Sequence, residues 1–416
     1  MAIADAPVAP NARYDSLDVL RGVAVLMIFS VNVRHMLQPF WTQGDPTVWA
    51  GPDDLAIDRA LQFAVDGKWI AVFAVLFGAG LMLLHDKAVA AGADPKARIV
   101  RRQVLLVGFG LIHLLLIWLG DVLTTYGIVG LVAMTLLGRR SATVAAWAAF
   151  GLLLGMGTMW ANGALMQLMT PEAMAENGFS FEAMIHAERE AKAGGIGAQV
   201  ASRMEAAALV VPGVVVAGPF VLAYMLTGVL AYRSGFLLAR WPVRRYLACA
   251  VPLLAAAWSI DAWRIERVGL WDGVEADAMM AVARYAWVGI PEGLLGGLGY
   301  AAVVNALVRA GLRFGPVAAA GRMAFTNYVL CSLVGTTLAA GHGAGLLGTL
   351  TLAQAMIVVG AVWAVILVVS PLWLASFRYG PLEWLWRSLG YGATQPMRQR
   401  PKGGPAPTPG RSLSRS

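Results

Sequence analysis

In LDVLRGVAVLMIFSVNVRHML, residues 17–37, an apolar run long enough to enter a bilayer carries Asp18, Arg21, Asn32, Arg34 and His35. At 3.6 residues per turn, Asp18, Arg21, Asn32 and His35 share one face of a helix. Ionisable groups at membrane depth turn toward the protein interior or a hydrated cavity and find partners there. The stripe therefore predicts a first helix inside a bundle. Asp18 and Arg21 stand at i, i+3, where a purely structural ion pair is the simplest reading. Asn32 has an amide that can polarise a carbonyl, and His35 reads either as a catalyst or as a hydrogen-bonded interfacial residue. Arg34 is expected to snorkel to the interface.

A second group lies in RRQVLLVGFGLIHLLLIWLGDVLTTYG. His113 falls deep in an apolar stretch, and an imidazole with an ordinary pKa near about 6.5 can act as a general base. The competing reading is a neutral histidine bonded across helices as packing glue. Gly120-Asp121 reads as a tight turn before Thr124, Thr125 and Tyr126, and Asp121 could orient the imidazole or cap the next helix.

Other polar residues are scattered among apolar segments. Lys68 opens KWIAVFAVLFGAGLMLL at the outer boundary of a span, and Gly78 and Gly80 there predict close helix packing. In VGIPEGLLGGLGY, Pro291 breaks backbone hydrogen bonds beside the carboxylate of Glu292, a combination suited to a cavity wall or to proton or cation binding. In GRMAFTNYVLCS, Arg322 lies near one end while Thr326, Asn327 and Ser332 lie deeper, where interhelical hydrogen bonding is the default. The sequence contains no Walker loop, GxSxG elbow, HExxH helix or Rossmann fingerprint. An ATPase and a conventional serine hydrolase are thereby disfavoured. Cys249 and Cys331 sit in apolar segments without metal-ligand spacing.

These residues must be positioned by membrane helices. Hydrophobic residues make up 58% of the 416 positions and charged residues 13%, which argues against a soluble globular domain. A span of about 20 apolar residues crosses about 30 Å of hydrocarbon. That test places ten candidates near 17–37, 69–84, 103–119, 121–138, 142–168, 207–231, 246–263, 284–308, 316–339 and 346–376. One alternating set of connectors, with the tail from 377, holds 20 Lys and Arg, while the other holds 7 basic and 16 acidic residues. The positive-inside rule puts both termini in the cytoplasm and asks for an even number of spans.

The expected fold is thus an all-α polytopic bundle over 17–392. Residues 1–16 form a short N-terminal tail that lacks a cleavable signal pattern. The outer segments 38–67 and 169–206 are long enough to be lids, binding elements or interfacial helices. Residues 393–416 form a basic tail with too little apolar content to fold, drawn to anionic lipid. The positive charge is read as a membrane feature, not as a nucleic-acid surface.

Four segments, RYDSLDVLRGVAVLMIFSVN, KWIAVFAVLFGAGL leading into the His113 segment, GRMAFTNYVLCS and FRYGPLEWLWRSLGYG, resemble in order and spacing the YeiB-like family, domain of unknown function family 418. This resemblance implies a bacterial inner-membrane helical protein whose chemistry is largely unassigned. The first-helix pattern is also distantly similar to transmembrane acyltransferases, including acyltransferase-3 proteins and the heparan-alpha-glucosaminide N-acetyltransferase group. At the position where acyltransferase-3 proteins have histidine, this chain has Asn32, as the N-acetyltransferase group does. The catalytic role therefore passes to His113.

The resemblance implies transfer of an acyl group from a cytoplasmic donor, with acyl-CoA as co-substrate and no resident cofactor or metal, to an acceptor at the outer face. His113 would be the base, Asp121 its orienting group and Asn32 the polarising amide. Arg21 or Arg322 would contact donor phosphates. His35, Lys68, Tyr126, Glu292 and Asn327 complete the candidate substrate-binding set. The alternative is a proton-coupled secondary transporter or exporter in which Glu292 or His113 carries the proton.

Overall fold

The computed structural model describes residues 15–42, 48–49, 51, 53–168, 180–268 and 278–399. Residues 1–14 of the expected N-terminal tail and most of the basic C-terminal tail fall outside them, while Asp15 and Ser16, expected in the tail, open the first helix. Residues 393–399 are described: Arg378 N donates to Met397 O at 2.9 Å and Gln399 N to Ser376 O at 3.0 Å, so this segment lies against 376–378.

Among the described residues the architecture is a helical bundle. Its helices are α1 (Asp15–Leu37), α2 (Asp54–Ala64), α3 (Lys68–Ala90), α4 (Pro95–Leu116), α5 (Leu123–Ala133) and α6 (Ser141–Leu168). They continue with α7 (Phe181–Ala193), α8 (Ile196–Ala206), α9 (Val210–Arg233), α10 (Val243–Val268), α11 (Ala278–Tyr285) and α12 (Gly289–Arg309). The chain closes with α13 (Gly315–Arg322), α14 (Ala324–Ala339), α15 (Leu352–Ser376) and α16 (Pro381–Tyr391).

Among the described residues, eight helical stretches are long and apolar enough to cross a membrane. The other two of the ten expected spans differ from straight crossings. The segment at 316–339 breaks between α13 and α14, which meet at 83°, and the segment at 121–138 is a short apolar helix, Leu123–Leu136.

The first helix is interior, as its polar stripe requires. In α1, 72% of the apolar window is buried, against 17% in α6 and 22% in α15, whose outward faces are left for lipid. Its neighbours approach closely because glycine removes the obstructing side chain. A Cβ on Gly22 would meet the Val317 backbone of α13, and one on Gly321 would meet the Asp18 backbone of α1. Gly78 of α3 and Gly228 of α9 make the same reciprocal arrangement, each against the other helix's backbone. Gly80 does not: it faces open space. Only half of the expected small-residue face is therefore a packing surface.

The break before α14 is supported from outside the helix. Glu383 of α16 accepts from Phe325 N at 2.7 Å and Thr326 N at 3.0 Å, and from the Thr326 hydroxyl at 2.5 Å. It thereby serves first-turn N–H groups that have no intrahelical partner. Burial holds its carboxyl above the ordinary range. Asn327 Nδ2 reaches back to Ala320 O at 3.0 Å and across to Ser370 Oγ at 3.2 Å, tying both halves to α15.

The segments expected to be outer loops are largely helical where described. Arg203 of α8 donates to the carbonyls of Leu115, Leu116 and Ile117 at 2.9, 3.2 and 3.3 Å. These are the orphan carbonyls at the C-terminus of α4, where a cation is favoured. Glu188 of α7 accepts from Phe40 N at 2.7 Å, and Lys192 reaches Gln38 O at 3.2 Å. Together α7 and α8 clamp the end of the bundle above His113.

Candidate functional site

A cavity of about 410 Å³ opens at the end of the bundle where α1 begins. Its mouth is strongly basic: Arg21, Lys87, Arg98, Arg102, Arg322, Arg378 and Arg387 line it, with only Asp18 and Glu383 in opposition among the described residues. Arg21 is held by Asp18 at 2.9 Å, the expected i, i+3 pair. Arg102 lies 4.2 Å from the centre of the Trp386 ring of α16, whose indole N–H donates to Arg102 O at 3.1 Å. The amphipathic α16 is thus one wall of the mouth. Deeper, the lining becomes apolar and aromatic with Phe73, Leu76, Phe77, Leu106, Tyr126 and Tyr328. Tyr126 fixes its own position by donating to Ile70 O at 3.2 Å. A phosphate-bearing head at the mouth and an acyl chain within match these two environments.

His113 lies behind Tyr328, with ring centroids 5.1 Å apart. It is 2% exposed. Its Nε2 is 3.0 Å from Ser332 Oγ and its Nδ1 is 3.2 Å from Asp121 Oδ1. The Asp121 approach is off the line of a formed hydrogen bond, leaving Nδ1 without such a bond. The carboxylate still faces the imidazole at a distance that favours a proton on Nδ1 and leaves Nε2 to accept. Asp121 also fulfils the rival expectation by accepting from Leu123 N at 3.1 Å and Thr124 N at 2.8 Å at the start of α5. One carboxylate serves the start of α5 and faces the His113 imidazole.

On the far side of His113, at the end where α1 finishes, is a small pocket of about 50 Å³. Phe40, Trp41, Trp118, Lys192, Gln199 and Thr336 are among its walls. The Trp118 ring lies 6.5 Å from that of His113. Lys192 forms an ion pair with Glu188 at 2.8 Å, and burial draws its ammonium below the ordinary lysine value. His113 therefore stands between two concave sites that open at opposite ends of the bundle.

Apart from Arg322, the remaining candidates line neither concave site. Lys68, expected at a boundary, is fully buried, 2.7 Å from Asp261 and 2.5 Å from Glu292. Arg264 adds a contact to Asp261 at 3.2 Å. Lys68 Nζ also approaches the carbonyls of Gln62 and Asp66, both at 3.4 Å, which links it to a second cluster. There Arg34 pairs with Asp58 at 2.7 Å and with Asp66, and Gln62 donates to Asp58 at 2.6 Å. Arg34 does not snorkel, because two carboxylates from the α2 region meet it inside the protein. Asn32 and His35 are half-buried without a side-chain hydrogen bond to a described residue. Asn327 is committed to holding the broken helix together. Arg322 lines the cavity.

Sequence reasoning passed over Asp261, although an aspartate within an apolar helix is itself a signal for a buried partner. It treated Ser332 as ordinary helix bonding, and nothing in the local pattern points from Ser332 to a histidine 219 residues away.

A family described as "Protein of unknown function (DUF418)" matches residues 231–393. The uncharacterized protein YxaH of Bacillus subtilis (strain 168) is 30% identical over 95% of this chain and 98% of its own length. The chain belongs to the YeiB-like DUF418 family. Another member, the uncharacterized protein YeiB of Escherichia coli (strain K12), is also 30% identical, over 92% of this chain and 98% of its own. An uncharacterized 39.9 kDa protein in the amylase 3′ region of Bacillus acidopullulyticus is 25% identical over 94% of this chain and 97% of its own. No solved structure matches. For this DUF418 protein the family thus agrees with the apolar helices in indicating a multi-pass membrane protein, and leaves the chemistry to be argued from the site.

Proposed function

We propose that this DUF418 protein transfers an acyl group from an acyl-CoA-type donor to a hydroxyl or amine acceptor across the bacterial inner membrane, with both termini in the cytoplasm. The observation that carries this reading is the two-part cavity: a basic mouth, an apolar interior, and the His113–Asp121 pair directly behind its inner wall. Donor phosphates sit against Arg21, Arg322 and their neighbours, and the acyl chain lies along Tyr126 and Phe77 toward Tyr328. His113 acts as general base on the acceptor and Asp121 stabilises the imidazolium. The pocket on the far side, next to Trp118, receives the acceptor. Lipid and the acceptor are the partners this reading requires, and the carbonyl-polarising role assigned to Asn32 is decided by its own variant.

The alternative is proton-coupled transport of a small molecule with Glu292 as carrier. The engagement of Glu292 with Lys68 favours a structural role for it.

The test uses the full chain purified in detergent. Acyl-CoA should bind and be slowly hydrolysed. His113→Ala should retain binding while losing roughly 10²-fold or more of turnover, and Asn32→Ala is assayed alongside it. Absence of specific acyl-CoA binding, together with proton-driven uptake in proteoliposomes that Glu292→Gln abolishes, would overturn the proposal.

A further inference from the structure

Ser332 lies at a position that direct transfer to the acceptor leaves unused. Tyr328, Ser332 and Thr336 recur every four residues along α14 and so stack on one face. Tyr328 lines the basic cavity and Thr336 lines the pocket on the far side. Between them, Ser332 places its hydroxyl 3.0 Å from His113 Nε2, with Asp121 Oδ1 3.2 Å from Nδ1. Serine, imidazole and carboxylate thus follow one another in the order that activates a hydroxyl nucleophile. Ser332 is 1% exposed. Its one hydroxyl hydrogen has two acceptors in reach, His113 at 3.0 Å and the Tyr328 carbonyl at 3.2 Å, and the imidazole is the nearer. Among the buried donors near this group without a hydrogen-bond partner among the described residues are the Trp118 indole N–H and the Thr124 hydroxyl. Unpaired donors of this kind are what a developing oxyanion needs.

We propose that Ser332 is the acyl-carrying nucleophile of a two-step relay, an inference that rests on the acyl-transfer reading. In the first step the Ser332 Oγ–H proton passes to His113 Nε2 while Oγ attacks the thioester carbonyl carbon. The carbon–sulfur bond then breaks and the imidazolium protonates the departing thiolate, leaving an acyl ester on Ser332 and a free thiol. In the second step an acceptor hydroxyl or amine from the far pocket gives its proton to His113 and attacks the ester carbonyl. The bond to Oγ breaks and the proton returns to Ser332. Donor and acceptor never have to meet, which resolves how substrates confined to opposite faces react at one buried histidine. Tyr328, between cavity and imidazole, is the side chain the acyl group displaces.

Full-length protein is incubated with an acyl-CoA labelled in the acyl group and no acceptor, quenched in acid, and mapped by peptide mass spectrometry. The expected result is one adduct on Ser332, resistant to neutral hydroxylamine, unlike a thioester on neighbouring Cys331. Ser332→Ala should lose the adduct and roughly 10²-fold or more of turnover with donor affinity unchanged. Ser332→Cys should convert the adduct to a hydroxylamine-labile one. Should Ser332→Ala not fold, adduct mapping on the wild type decides alone. Wild-type turnover that depends on His113 but leaves no adduct, and persists in Ser332→Ala, overturns the relay and leaves single-step acyl transfer standing. Wild type that neither binds nor turns over acyl-CoA overturns both.

Discussion

Lys68 is an ammonium with no solvent contact, held between the carboxylates of Asp261 and Glu292. Burying charges is costly, and removing one partner leaves the others uncompensated, an effect of about 3–5 kcal/mol. Lys68→Met should therefore lower the melting temperature in detergent sharply. Adding Asp261→Asn and Glu292→Gln to the same chain should restore much of the loss, because neutral groups replace the stranded carboxylates. A triple variant no more stable than Lys68→Met would show that the cluster acts through something other than charge compensation. By contrast, the His113 imidazole has a carboxylate on one side and a hydroxyl on the other instead of a charged partner pair.

At the scale of elements, close approach of α3 and α9 depends on Gly78 and Gly228, and that of α1 and α13 on Gly22 and Gly321. A methyl group at Gly78 would meet the Met225 backbone, which cannot rotate aside. Gly78→Ala should cost about 1–3 kcal/mol through overpacking. Gly80→Ala, only two residues away, adds its methyl to open space and should be neutral or gain up to about 1 kcal/mol from the lower entropy cost of alanine in a helix. Parallel thermal melts separate the two, and equal effects would refute the packing assignment. The bent α13–α14 pair makes the same point about dependence on neighbours. Its first-turn N–H groups are served by Glu383 from α16 and its two halves are joined by Asn327, so the break that presents Tyr328 and Ser332 is maintained by contacts distant in sequence.

At the scale of the whole bundle, the described residues form a basic cavity at one end, a small pocket at the other and the His113–Asp121 pair between them. Exposed basic residues attract anions over a screening length of about 8–10 Å at ordinary salt. Donor binding should weaken as ionic strength rises, with the acyl-chain contribution unaffected. Gly80 also lines this cavity, so Gly80→Phe should fill it and reduce acyl-CoA affinity by about tenfold or more, equivalent to about 1.4 kcal/mol, without lowering the melting temperature. Unchanged affinity in that variant would place the donor elsewhere.

Composition and hydropathy sufficed to establish a multi-pass helical protein. The stripe from Asp18 to His35 sufficed to put its first helix inside, because lipid rejects lone charges and amides whatever the remaining fold. His113 and Asp121 could be nominated together because they lie eight residues apart across one short turn. Arg34, Lys68 and Glu292 show the limit: each was visible as a polar group in or beside an apolar run, with Arg34 and Lys68 expected at the interface, but they are buried because Asp58, Asp66 and Asp261, from α2, the turn after it and α10, meet them inside the protein. Ser332 is the extreme case, a hydroxyl unremarkable on its own helix that meets His113 only after α4 and α14 pack together. Polarity in an apolar run is a local property that sequence determines. Which polar groups face one another depends on helix crossings set by glycines, caps and ion pairs far apart in the chain, and only the tertiary structure decides it.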